Sequence, residues 1–177
     1  MRDDFSNEHF SGTEWLSYLD GGPGAATGNE MKTHVENCPE CGGFAASIGA
    51  VRAILSEQAG QLREATALSD EALDSMLTSC FSRLRSTASA EGRTRWSASE
   101  AIVLLRVLVE PICGRGTAGA TIDLALRRST ASNEGSVTEG NWSLFITNFS
   151  DLMASVCGSA AGRLVNRAGF CLAVARG

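Results

Sequence analysis

Histidine is scarce in this chain: its 177 residues hold two, His9 and His34, and none follows residue 34. That excludes a His-rich second metal site in the later part of the chain, and no Ser-His-Asp arrangement or paired-carboxylate signature is present. Long apolar runs are also missing. The longest, 101–109 and 168–175, fall far short of the roughly 20 residues a membrane helix needs, and Arg106 interrupts the first. The first residues, Met1-Arg2-Asp3-Asp4, lack the apolar core of a secretory signal. Positive charge is not in excess: the net charge is −5, which argues against direct nucleic-acid binding. Gly114-Arg115-Gly116-Thr117-Ala118-Gly119 is glycine-rich but has no lysine and no strand–loop–helix order, so it reads as a flexible turn rather than a phosphate loop. The expectation is a soluble, cytoplasmic, non-enzymatic protein with no membrane contact. In such a setting six cysteines point to metal or redox chemistry rather than to a disulfide framework.

The chemistry concentrates in His34-Val35-Glu36-Asn37-Cys38-Pro39-Glu40-Cys41, an H-x3-C-x2-C spacing. A C-x2-C turn brings both sulfurs to one point, and a histidine four residues earlier lies one helical turn back on the same side. Zn2+ accepts this mixed nitrogen and sulfur set in tetrahedral geometry. A helix starting at the Cys turn puts the positive end of its dipole beside the thiols, where a metal takes them up as thiolates. Three donors are explicit and a closed site needs a fourth. The spare histidine, His9, is the first candidate, with Glu8 and Asp4 as alternatives.

Together with the upstream Trp15-Leu16-Ser17-Tyr18-Leu19-Asp20-Gly21, the segment from Met31 to Cys41 resembles the zinc-binding anti-sigma factors of bacteria. The resemblance covers about residues 9 to 88. His9 stands 25 residues before His34, the interval at which that family places its fourth ligand. The chain departs from the family after Asp20-Gly21, where Gly22-Pro23-Gly24-Ala25-Ala26 replaces the usual acidic and leucine-rich residues. The resemblance implies a metal set of His9, His34, Cys38 and Cys41. It also implies a partner, an extracytoplasmic-function-type sigma factor, held inactive by occlusion of its polymerase-binding surface.

Hydrophobic periodicity predicts a mainly α protein. Ser11 or Thr13 caps a short helix carrying Trp15, Leu16 and Leu19, and Asn29 caps a second one leading to His34. A third runs from about Pro39 to Ala65, with Phe44, Ile48, Val51, Ile54, Leu55 and Leu62 near helical spacing. Ser69-Asp70-Glu71 starts a fourth, with an apolar stripe of Leu73, Leu77, Cys80, Phe81 and Leu84. From Ser97 to about Cys113 apolar residues cover most of the circumference, predicting a central buried helix, with a strand as the alternative over 102–109. Gly114 to Gly119 reads as a break. Ile122, Leu124 and Leu126 alternate with polar neighbours, a weak signal for a short strand near 121–127, or for a short helix. Trp142, Phe145, Phe149, Leu152 and Val156 predict a helix whose aromatic stripe is core. The last helix, 159–175, carries small residues, among them Gly162 and Gly169, that permit close approach. No internal repeat is evident.

These elements suggest a zinc-binding unit at 1–88, a linker at 89–96 and a helical second unit at 97–177, expected to sense a signal or to homo-oligomerise. Residues 1–88 carry 13 acidic and 6 basic side chains, whereas 89–177 carry 7 and 9. An acidic first half suits a basic partner, such as a protein that itself binds DNA. Two rival roles are a thiol switch, in which Cys38 and Cys41 are oxidised and zinc is ejected, and a zinc-stabilised scaffold with no sigma partner.

Overall fold

The hydrogen-bonding side chains at helix starts and the glycines at helix ends divide the chain into a run of packed helices. The computed structural model describes residues 10, 14–15, 18, 25–57, 69–90, 96–130 and 137–174. Seven α-helices are found among them: α1 (Ala25–Asn37), α2 (Pro39–Glu57), α3 (Asp70–Ala90), α4 (Ala98–Cys113), α5 (Arg115–Ser129), α6 (Trp142–Cys157) and α7 (Ser159–Val174), with a 3-10 turn at Glu139–Asn141 before α6. No strand occurs among the described residues, and no helix there is long and apolar enough to cross a membrane.

The expected start signals operate. Ser69 Oγ accepts the Ala72 N–H at 3.3 Å, and Asp70 and Glu71 occupy the first turn of α3, where carboxylates favour the helix dipole. At α4 the Ser97 hydroxyl accepts the Glu100 N–H at 3.2 Å while the Glu100 carboxylate accepts the Ser97 N–H at 2.8 Å, a reciprocal cap. Asn29 is not a cap: α1 begins earlier, at Ala25.

Two expectations in the second half need correction. Residues 121–127 are not a strand but the middle of α5. The apparent alternation came from Leu124, which is 41 % exposed; the buried positions are Ala118, Thr121, Ile122, Ala125 and Ser129, a helical period built largely from small side chains. The break expected over Gly114 to Gly119 is confined to Gly114, whose φ of 79° is the left-handed region that glycine enters without penalty. Its N–H closes α4 on the Glu110 carbonyl at 2.8 Å, and α5 starts at the next residue.

Helix α4 is the central element, buried continuously from Ala101 to Val109 and packed against α2, α5, α6 and α7. The alternative of a strand over 102–109 is thereby excluded. Arg106, 2 % exposed in this run, lies with its Nε 3.2 Å from Glu110 Oε1. Arg52 of α2 and Arg115 of α5 reach the same carboxylate at 3.6 and 4.0 Å, so one acid ties three helices together.

The closest pairing is α6 with α7. A Cβ on Gly162 would stand 2.7 Å from Ala154 Cβ, and one on Gly169 2.5 Å from Ile146 Cδ1. The absent side chains therefore set the interaxial distance, as the small-residue content predicts. Ser150 Oγ donates to the Gly162 carbonyl at 2.9 Å and Trp142 Nε1 to the Gly169 carbonyl at 3.3 Å, which satisfies polar groups where the two helices meet. Phe145 and Phe149 are fully buried, as expected for a core stripe, but Val156 is 58 % exposed.

Buried hydrophobic residues form one cluster from Trp15 to Leu172. Helix α3 extends to Ala90, and Trp96, at the end of the segment read as linker, is buried with its ring 6.0 Å from that of Phe44 in α2. On another face, Arg167 reaches Asp74 at 2.8 Å and donates to the Asp70 carbonyl at 2.9 Å, while Arg163 pairs with the Asp70 carboxylate at 3.0 Å. Contacts thus join residues before and after position 90 on both faces of α2 and α3.

Candidate metal centre

The turn between α1 and α2 is one residue wide, and that residue is Cys38. Backbone hydrogen bonding runs through it: the Cys38 N–H donates to the His34 carbonyl at 2.7 Å and the Gly42 N–H to the Cys38 carbonyl at 2.8 Å. Pro39 opens α2, at the helical position where a missing N–H costs nothing. Asn37 Nδ2 donates to the Thr33 carbonyl at 2.7 Å, holding the last turn of α1. A Cβ on Gly42 would approach the Val35 carbonyl oxygen to 3.0 Å. The glycine pair after Cys41, which weakens a helix by propensity, is thus explained at Gly42 by close approach of α2 to the end of α1.

This hairpin gathers three of the four expected ligands. The donor atoms of His34, Cys38 and Cys41 all lie within 4.8 Å of one another. Tetrahedral zinc with two sulfurs and a nitrogen requires separations of about 3.6–3.8 Å, so rotamer adjustments of the two cysteines close the set. Cys41 is 3 % exposed and Cys38 half-buried. His34 Nε2 is buried and has no hydrogen-bond partner among the described residues. Such an orphaned imidazole nitrogen costs about 1–3 kcal/mol if left unmet, and a metal ion meets it. The His34 ring is packed edge-on by Phe10, 4.9 Å between centroids at 75°. Residues and geometry fit a metal ion. His9, Glu8 and Asp4, the candidates for the fourth position, lie outside the described residues.

None of the six cysteines is in a disulfide. Burial pushes the Cys80 thiol, in the core, up to about 11, with Arg83 opposing; the half-buried Cys171 thiol is also raised by burial. Cys113 and Cys157 differ. Far apart in sequence, they are brought together by the fold, which sets the Cys157 thiol beside the Cys113 thiol. The dipeptide Cys-Gly closes α4 at 113–114 and α6 at 157–158 but also stands at 41–42, so the sequence did not single out the pair. No family model, curated protein or solved structure matches the chain.

Proposed function

We propose that the protein is a zinc-binding anti-sigma factor that sequesters a sigma factor and so regulates transcription. The observation that carries this reading is the convergence of His34, Cys38 and Cys41 in a helix–turn–helix of the spacing the resemblance implies. His9 supplies the fourth ligand; its neighbour Phe10 lies against the His34 ring, and adjacent Cα atoms are about 3.8 Å apart. Bound zinc supplies structural cross-linking and no catalytic step. The chain's own residues do the remaining work. Helices α1 and α2 hold the ligands, α3 packs its apolar stripe on α2, and acidic side chains outside the ion pairs to Arg163 and Arg167, among them Glu30, Glu36 and Glu71, face solvent. Their charge complements the basic surface of a DNA-binding partner, which speeds encounter and sets orientation. Binding then occludes the surface the sigma factor offers to polymerase.

The test is co-expression of the full chain with the sigma factor encoded beside it, followed by co-purification and transcription in vitro. A stable complex that suppresses sigma-dependent transcription, and that weakens as salt rises, is the expected result. A chain that purifies alone and leaves transcription unchanged overturns the reading in favour of a zinc-stabilised scaffold. The approach of Cys38 and Cys41 also favours a redox-released form of the same function, in which oxidation of the two thiols ejects the metal.

A further inference from the structure

Helices α4 and α6 end in the same way. Each finishes on a cysteine, and each is closed by a glycine of positive φ, Gly114 at 79° and Gly158 at 92°. Each glycine N–H donates to the carbonyl four residues back, Glu110 at 2.8 Å and Ala154 at 3.1 Å. The two helices pack on each other, and the matched ends bring the thiols of Cys113 and Cys157 together, within reach of a mutual hydrogen bond. Both are half-buried at the edge of the core, so a small oxidant reaches them. Cys113 is held in place by contact of its Sγ with the Val109 carbonyl at 3.3 Å. The pair is built from separate helix hairpins, α4–α5 and α6–α7, and shares no residue with the metal centre.

We propose that Cys113 and Cys157 form a peroxide-oxidised dithiol site whose disulfide staples the end of α4 to the end of α6. The chemistry takes two steps. One of the two sulfurs attacks a peroxide; the O–O bond breaks, an S–O bond forms, and the alcohol, or water from hydrogen peroxide, leaves with the thiol proton. The other sulfur then attacks the sulfenic sulfur; the S–S bond forms and hydroxide leaves, taking the second proton as water. Overall two thiols and one hydrogen peroxide give one disulfide and two waters. Burial first, then the adjacent Cys157 and Glu110, push the Cys113 thiol up, and either sulfur can make the first attack with the other as its resolving partner.

The experiment uses the zinc-loaded full chain treated with a modest excess of hydrogen peroxide, digested without reduction and read by mass spectrometry. Trypsin places Cys113 in peptide 107–115 and Cys157 in peptide 129–163, apart from all four other cysteines. The expected product is these two peptides joined, in protein whose oligomeric state is unchanged, that melts roughly 5–15 °C higher and reverts with dithiothreitol. In Cys113→Ser and in Cys157→Ser a dimedone adduct should accumulate on the cysteine that remains, and the joined peptides should be lost; circular dichroism of both variants shows whether they fold. Oxidation that joins only Cys38 to Cys41, or that leaves 107–115 and 129–163 unlinked in folded protein, overturns the proposal.

Discussion

Phe10 stands edge-on to the imidazole of His34, 4.9 Å between ring centroids, against a ligand 24 positions along the sequence. That contact leads to the first prediction. If the arm closes the metal site through His9, then His9→Ala weakens zinc binding by on the order of 100-fold, and Glu8→Ala leaves it unchanged. Competition titration with a chromophoric chelator measures both. Equal affinities in wild type and His9→Ala would move the fourth donor to another residue or to water.

A second prediction concerns Trp96, which is 6 % exposed and lies against Phe44. Trp96→Ala removes the ring that covers α2 from the side of α4 and should cost about 3–5 kcal/mol. If the two halves share their core, the wild-type zinc-loaded chain unfolds in a single thermal transition and Trp96→Ala lowers it. Two separate transitions in the wild type, with only one of them moved by the substitution, would show independent halves.

Helix contact at α6–α7 gives a third. Gly169→Ala sets a methyl 2.5 Å from Ile146 Cδ1 and 2.7 Å from both Cγ1 and Cγ2. No single rotation of Ile146 clears all three, and overpacking of this kind costs about 1–3 kcal/mol. Gly116→Ala, in α5 with open space around it, should instead be neutral or stabilise by up to about 1 kcal/mol. Chemical denaturation of the two variants gives the sign of each effect.

The fourth rests on Cys80, fully buried in α3. Its thiol is raised from an ordinary 9.0 to about 11 by burial. A raised value in the folded state means that the unfolded chain loses this proton first as pH climbs. Stability should therefore be full below pH 9 and fall between about 9 and 11. Cys80→Ala should lose part of that alkaline sensitivity while being less stable at neutral pH. An identical alkaline slope in both proteins would contradict the assignment.

What could be read from sequence follows the range of the interactions involved. The H-x3-C-x2-C cluster was legible because its three donors lie within eight residues and one hairpin. Helix α4 was legible because Ser97 and Glu100 mark its start and apolar residues surround it. Helix α5 was obscured because its buried face is Ala118, Thr121, Ala125 and Ser129 beside a single Ile122, too little apolar contrast to set a period against exposed Leu124. Trp96 read as linker because Arg, Thr and Ser surround it, and its partner Phe44 is far off in sequence. The pairing of Cys113 with Cys157 was hidden for the same reason: two helix ends meet only through the packing of α4 on α6.

The metal centre itself is tested most directly by cobalt substitution. Co2+ reports its ligands through absorption: thiolates give sulfur-to-metal charge-transfer bands, and tetrahedral geometry gives intense ligand-field bands in the visible. The purified chain should take up one Co2+, show the bands of a tetrahedral site with two thiolates, and release it to one equivalent of zinc. Cys38→Ser and Cys41→Ser should each lose the bands together with helix content in α1 and α2, because structural zinc contributes on the order of 10 kcal/mol to small domains. Weak octahedral bands without charge transfer, or a Cys38→Ser, Cys41→Ser double variant that folds fully without metal, would contradict a structural centre at His34, Cys38 and Cys41.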